Sequence, residues 1–151
     1  MLSWLFSDPL KTGDDAPAFA LPDQDGKIVS LESLSGKNVV LVFYPADETT
    51  ICTKQLCEFR DNWAAAQAKN TVVLGVNPAG TRKHAAFREH HHFPFPLLVD
   101  KGQQTASKYH ANGLIVKRTV YLIGKSGKIR YARRGTPSPE EVLAAAEWGE
   151  E

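Results

Sequence analysis

The run Asn38–Pro45, NVVLVFYP, constrains this chain more than any other stretch. After Asn38 it is unbroken β-branched, aliphatic and aromatic sequence up to a proline. A strand with one face in water would alternate apolar with polar residues, so this run fits a strand buried on both faces. Thr71–Asn77, TVVLGVN, repeats the signature. Phe19–Leu31 reads as two short strands around the turn residues Asp25 and Gly26, and Thr119–Ala132 as a hairpin around Ser126-Gly127.

Helical patterns fall between these strands. From Cys52 to about Lys69, the apolar residues Leu56, Phe59 and Trp63 recur at i, i+3 and i+7, which is one buried face. Thr81 is placed to cap a helix reaching about His91. Ser138, Pro139 and Glu141 have the spacing of a capping box with proline at the first helical position. Doubly buried strands interleaved with helices predict an α/β fold, a central mixed β-sheet flanked by helices; a thioredoxin-like fold fits this outline, and periodicity alone also permits other α/β arrangements.

The chain has 151 residues, enough for one domain over 1–151 with its own core. Its 18 basic and 17 acidic side chains leave a formal charge of +1, which gives no electrostatic footprint for nucleic acid or an anionic membrane. Residues 1–12 read as an N-terminal arm that tucks Trp4, Leu5 and Phe6 onto the domain or a neighbour. The arm's apolar run is short and Lys11 follows it, so it does not match a targeting segment. No stretch approaches the ~18 apolar residues of a membrane span. The expected setting is the cytoplasm, where a cysteine pair would cycle rather than stay oxidised.

Both cysteines, Cys52 and Cys57, lie in FYPADETTICTKQLCEFRD, five positions apart. A buried strand ends at Tyr44-Pro45, a polar loop follows, and Cys52 stands where the next helix begins. The first N–H groups of a helix lack intrahelical partners and carry the positive end of its dipole, so a thiolate is favoured there. An ordinary thiol, with a pKa of ~8.5, is only about 3% ionised at pH 7. Lowering that pKa to ~6 would raise the fraction to roughly 90%. Position thus favours Cys52 as nucleophile, and Cys57, one turn further in, suits a slower second role.

The pattern P-x-x-x-T-x-x-C, here Pro45, Thr49 and Cys52, resembles the active-site motif of the peroxiredoxins. With the second cysteine five residues on, the stretch is similar to the bacterioferritin-comigratory (Q-type) subgroup of the alkyl hydroperoxide reductase/thiol-specific antioxidant family. The resemblance extends through APAFALPDQDGKIVSL, HAAFREHHHFPFPLLVD and KRTVYLIGKSGKI. It implies that Cys52 is peroxidatic, attacking a hydroperoxide and becoming a sulfenic acid, and that Cys57 is resolving. Thr49 would hydrogen-bond the thiolate and the substrate oxygen, and Pro45 would shield the sulfur from water. Arg118, just before a core strand, would stabilise the thiolate and the charge developing on the peroxide. The resemblance further implies a monomer, regeneration by thioredoxin or a similar dithiol, and no metal or organic cofactor.

Two departures stand out. The subgroup carries Pro-Gly before the peroxidatic cysteine, where this chain has Thr50-Ile51. Isoleucine would be strained there if the backbone needed φ > 0. The stretch Tyr109–Arg118 lacks an insertion found in other members. Glu48 and Glu58 are both candidates to pair with Arg118.

The run His90, His91, His92 invites a metal reading. Adjacent residues do not share a helix face, however, and a helix end suits partial positive charge, so a solvated helix terminus is expected. His84 and His110 carry no clear signal. Two other functions use the same features: a general thiol–disulfide oxidoreductase, which would normally carry C-x-x-C, and a redox-switched binding or holdase module.

Cys52 and Cys57 could not be bridged within an intact helix. Residues five apart there have Cα atoms roughly 8.7 Å apart, whereas a disulfide tolerates ~4.4–6.8 Å. A bridge between them requires the helix to unwind from about Cys52 to Phe59.

Overall fold

The computed structural model describes residues 8–146. Trp4, Leu5 and Phe6 of the expected arm lie outside the described residues.

Strand β3 (Asn38–Phe43) is buried along its whole length, as its composition requires. It pairs in parallel with β4 (Thr71–Asn77) and antiparallel with β6 (Thr119–Ile123). With β5 (Leu97–Val99) and β7 (Ile129–Arg134) they form a mixed five-stranded sheet in the order β5-β4-β3-β6-β7. The side-chain period of two then divides β3 between two cores. Val40 and Val42 face a cluster completed by Leu56 and Phe59, Phe87, Val142 and Leu143. Val39, Leu41 and Phe43 face the opposite cluster, with Leu74, Leu98, Ala106 and Tyr109. The short strands β1 (Ala20–Pro22) and β2 (Ile28–Ser30) pair separately, turning at Gly26 with φ of 82°. The fold is the expected α/β sandwich around a mixed sheet.

The helices depart from expectation in detail. The periodicity over 52–69 suggests one helix, but there are two, α1 (Thr50–Asp61) and α2 (Trp63–Ala68). Asn62 divides them: its side-chain Nδ2 and its backbone N–H both donate to Glu58 O, at 2.9 and 3.2 Å. This local competition with the helix ladder is characteristic of asparagine. Helix α3 (Thr81–His91) takes Gly80, not Thr81, as its N-cap, and ends at His92 in the left-handed conformation. A short α4 (Gln104–Lys108) carries Ala106 into the second core.

Helix α5 (Pro139–Leu143) is capped by Ser138, whose hydroxyl accepts from Glu141 N at 3.2 Å. The reciprocal half of the box does not form, because the Glu141 carboxylate is engaged by Tyr131 Oη and Arg133 Nη1 on β7, at 2.7 and 2.6 Å. Among the described residues no helix is long and apolar enough to cross a membrane.

One glycine fixes the packing beneath the loop that follows β3. A Cβ on Gly75 would lie 2.8 Å from Leu97 Cδ2 and 3.2 Å from Tyr44 Cε1. The bare backbone at this point lets the Tyr44 ring lie against the middle of β4.

Candidate active site

Tyr44 extends β3 by one rung, its N–H donating to Val76 O at 3.2 Å, and is fully buried. The loop from Pro45 to Thr49 then leaves the sheet. Its inner side is fastened through one carboxylate. Tyr44 Oη donates to Asp47 Oδ1 at 2.7 Å, and Asn77 Nδ2 donates to the same oxygen at 3.0 Å. His84 Nδ1 lies 2.7 Å from Asp47 Oδ2, with the two side chains 0% and 4% exposed.

Burial pushes the Asp47 carboxyl up, but hydrogen bonds from His84, Tyr44 and Asn77, with the His84 charge, outweigh it and hold the group below the usual carboxylate range. The other ring nitrogen of His84, Nε2, lies 2.9 Å from Leu98 O, an acceptor, so it must carry a hydrogen. The ring therefore bridges the Asp47 carboxylate, through Nδ1, to the β5 backbone at Leu98, through Nε2. Burial and the neighbouring Asp47 push the Tyr44 phenol well above its ordinary pKa, keeping it a donor.

Sequence reasoning set His84 aside. The available signal was its place three residues before Phe87, on the buried face of α3. Asp47, inside the cysteine motif, was also passed over.

The outer side of the loop carries Glu48, at φ 61°. Its carboxylate meets two histidines from the end of α3: Oε2 lies 3.0 Å from His90 Nδ1, and Oε1 lies 3.0 Å from His91 Nε2. His90 and His92 are exposed at the helix end, as expected of a solvated terminus, but His90 and His91 do not point apart: both reach Glu48. Helix α3 is about to stop at a left-handed residue, and both rings bend onto one acid from another part of the chain. Hydrogen bonds from His91 and His90 pull the Glu48 carboxyl below its usual range despite partial desolvation.

Thr49 is the N-cap of α1, and its backbone oxygen accepts from Thr53 N at 2.8 Å. Its hydroxyl does not cap the helix but donates to Ala46 O at 3.2 Å. Cys52, the third residue of α1, is fully buried within the first core cluster, among the turn of N–H groups that lack intrahelical acceptors. Cys57 is half-buried in the same unbroken helix, and both thiols are free. Burial pushes the Cys57 thiol up, Asp61 adds to this, and the Arg60 guanidinium opposes it.

Ile51 is an ordinary right-handed helical residue, 59% exposed, and the strain considered for it does not arise. In this loop the left-handed residue is Glu48. Pro45 is half-buried where the chain leaves the sheet.

Arg118 directly precedes β6. Its Nη1 donates to Gln55 Oε1 at 3.0 Å, and Gln55 Nε2 donates to Gly135 O at 3.4 Å. Neither Glu48 nor Glu58 is its partner among the described residues. Gln55 is buried, three residues after Cys52 and so on the same face of α1. That spacing was the only sequence signal for it. The structure thus brings Pro45, Thr49 and Cys52 together at one sheet end and carries Arg118 to the helix one turn beyond Cys52. Among the described residues no hydrogen bond joins Cys52 Sγ to Thr49 or Arg118.

Comparison with known proteins identifies the family. The model of the AhpC/TSA family matches residues 12–132. The chloroplastic peroxiredoxin Q of Triticum aestivum is 38% identical over 135 residues, which cover 87% of this chain but only 62% of the plant protein. The putative peroxiredoxin bcp of Coxiella burnetii is 36% identical over 132 residues, covering 80% of this chain and 85% of that one. Among solved structures, peroxidoxin BcpB from Mycobacterium tuberculosis superposes with a TM-score of 0.85 at 34% identity, covering 90% of this chain and 96% of the other. A matched family model, relatives of this likeness and a shared fold lead to one conclusion: the chain belongs to the AhpC/TSA family, in its peroxiredoxin Q (bacterioferritin-comigratory) branch.

Proposed function

We propose that this protein is a thiol-dependent peroxidase acting on hydrogen peroxide and alkyl hydroperoxides. The observation that carries the reading is the placement of Cys52, buried in the first turn of α1, with Arg118 brought to the same helix through Gln55. The Cys52 thiolate attacks the terminal peroxide oxygen, the O–O bond breaks, and the departing alkoxide or hydroxide takes a proton to leave as alcohol or water. Sulfur is oxidised to a sulfenic acid. Arg118 supplies fixed positive charge toward the thiolate and the leaving oxygen. The Thr49 hydroxyl, which rests on Ala46 O, rotates to donate to the substrate. Pro45 keeps bulk water from the sulfur.

Cys57 then attacks the sulfenic sulfur, releasing water and forming a Cys52–Cys57 disulfide. Thioredoxin or a similar dithiol reduces it. Helix geometry places the two Cα atoms roughly 8.7 Å apart in intact α1, beyond the reach of a disulfide, so the first turn or two must unwind before the bridge closes. No cofactor enters the cycle.

The decisive experiment replaces each thiol. Cys52→Ser abolishes turnover. Cys57→Ser retains one rapid round of peroxide reduction and accumulates sulfenic acid at Cys52, read by mass spectrometry after one equivalent of peroxide. Oxidation appearing first on Cys57 would reverse the assignment.

A further inference from the structure

Glu48, His90 and His91 form a cluster of ligand-type side chains that the peroxidase reading does not use. Their ligand atoms all lie within 4.8 Å of one another. A helix-end salt bridge needs one imidazole on the carboxylate; here each oxygen has its own. The two rings lie 4.1 Å apart. His91 is held in orientation from behind, stacked on Phe93 at 5.6 Å and set edge-on to Phe87 at 5.3 Å. Arg60 Nη1 donates to its carbonyl at 2.7 Å, fixing the backbone. Glu48 is directed there by its left-handed backbone.

The spacing suits a cation. In a tetrahedral zinc site with bonds of about 2.0 Å, adjacent ligand atoms are roughly 3.3 Å apart. The two nitrogen–oxygen separations of 3.0 Å, each to a different oxygen of Glu48, are close to that edge, and one ligand atom from each residue lies within 4.8 Å of the others, so side-chain rotation closes the set around a metal ion. Two imidazoles and one carboxylate are a donor set for zinc-class ions, whereas calcium and magnesium prefer oxygen alone. His90 and Glu48 are 66% and 44% exposed, which leaves room for water to complete the coordination.

We infer that Glu48, His90 and His91 constitute a binding site for a zinc-class divalent cation, joining the loop before Cys52 to the end of α3. Glu48 precedes the N-cap Thr49 by one residue and Cys52 by four. Resting on the two-cysteine reading above, the bound ion restrains the helix start and slows disulfide closure after Cys52 has been oxidised.

Titration calorimetry with zinc chloride on the full chain carrying Cys52→Ser and Cys57→Ser removes the thiols as competing ligands. The expected result is one ion per chain with micromolar affinity. Affinity falls about tenfold or more in Glu48→Gln, His90→Gln or His91→Gln, and is unchanged in His92→Gln. No uptake at millimolar zinc, or uptake that survives His90→Gln/His91→Gln, overturns the site. The restraint is read in the protein with both cysteines, as the rate of disulfide formation after peroxide with and without zinc. Zinc slows closure with both histidines present and not in His90→Gln/His91→Gln. Equal slowing in both overturns the restraint. Metal-free protein that never forms the intramolecular disulfide overturns the two-cysteine reading and the restraint together, while the calorimetric result stands by itself.

Discussion

The loop Pro45–Thr49 and the first two turns of α1 are adjacent in the chain but held by different forces. The loop is fastened through Asp47 to Tyr44, Asn77 and His84, three side chains from the sheet and from α3. The helix start has Thr50, Ile51 and Lys54 in solvent and depends on the burial of Cys52 and Leu56 and on the Gln55–Arg118 bridge. Exposing Leu56 costs about 1.5–3 kcal/mol, well inside the roughly 5–15 kcal/mol that holds a whole domain folded. In the proposed two-cysteine cycle, the part that stays is fixed by several directional polar bonds, and the part that unwinds is held mainly by apolar burial with one polar bridge.

The largest test of this contrast is His84→Ala. Removing the imidazole leaves the Asp47 charge buried without its partner and lowers stability by about 3–5 kcal/mol in urea unfolding. Lys54→Ala, on the helix start, changes it by less than about 0.5 kcal/mol. Equal losses would break the comparison.

Arg118→Met comes next. Peroxide attack measured by stopped flow slows about 100-fold or more, roughly 3 kcal/mol. Unchanged rates would remove Arg118 from the site.

Hydrogen exchange on the reduced and disulfide forms sharpens the contrast directly. Protection from Cys52 to Cys57 falls about tenfold or more on oxidation, at least ~1.4 kcal/mol of local stability, while Tyr44–Asp47 keeps its own. Equal protection of the helix start in both forms would rule out unwinding.

The smallest effect is that of acid. The folded-state pKa of Asp47 is depressed, so its contribution is fully present above the unfolded carboxylate value and is lost as pH falls through the folded one. The stability gap between the wild-type chain and Asp47→Asn therefore narrows below about pH 4. A gap constant down to pH 2 would mean that the Asp47 charge contributes nothing to stability.

How much of this could be read from the sequence depended on how locally each feature is encoded. Strands β3 and β4 were readable because a doubly buried strand must be apolar throughout. The thiol motif was readable because its residues are contiguous. Helix α1 was extended too far, since the periodicity runs on to Trp63 and one asparagine is a weak signal against it. Strand β5 escaped notice as three apolar residues just after Pro94 and Pro96. The contacts that shape the site were hidden by separation: Asp47 and His84 are 37 residues apart, and Gln55 and Arg118 are 63. Only the sheet order brings such pairs together. The helix end at the histidine run was readable, but the shared partner of His90 and His91 was not, because Glu48 lies 42 and 43 residues away.

The break at Asn62 bears on how the helix is rebuilt. Forming a first helical turn from coil is the slow and unfavourable step, with a nucleation parameter near ~10⁻³. Asn62 folds back on Glu58 O and Phe59 O through its main chain, and on Glu58 O again through its side chain. A closed turn therefore stands at the C-terminal end of α1, backed by α2. If unwinding runs from the thiol end and stops at that turn, a nucleus survives every cycle. In the proposed cycle, α1 would then regrow after reduction of the disulfide by adding one residue at a time onto this template, without a fresh nucleation step.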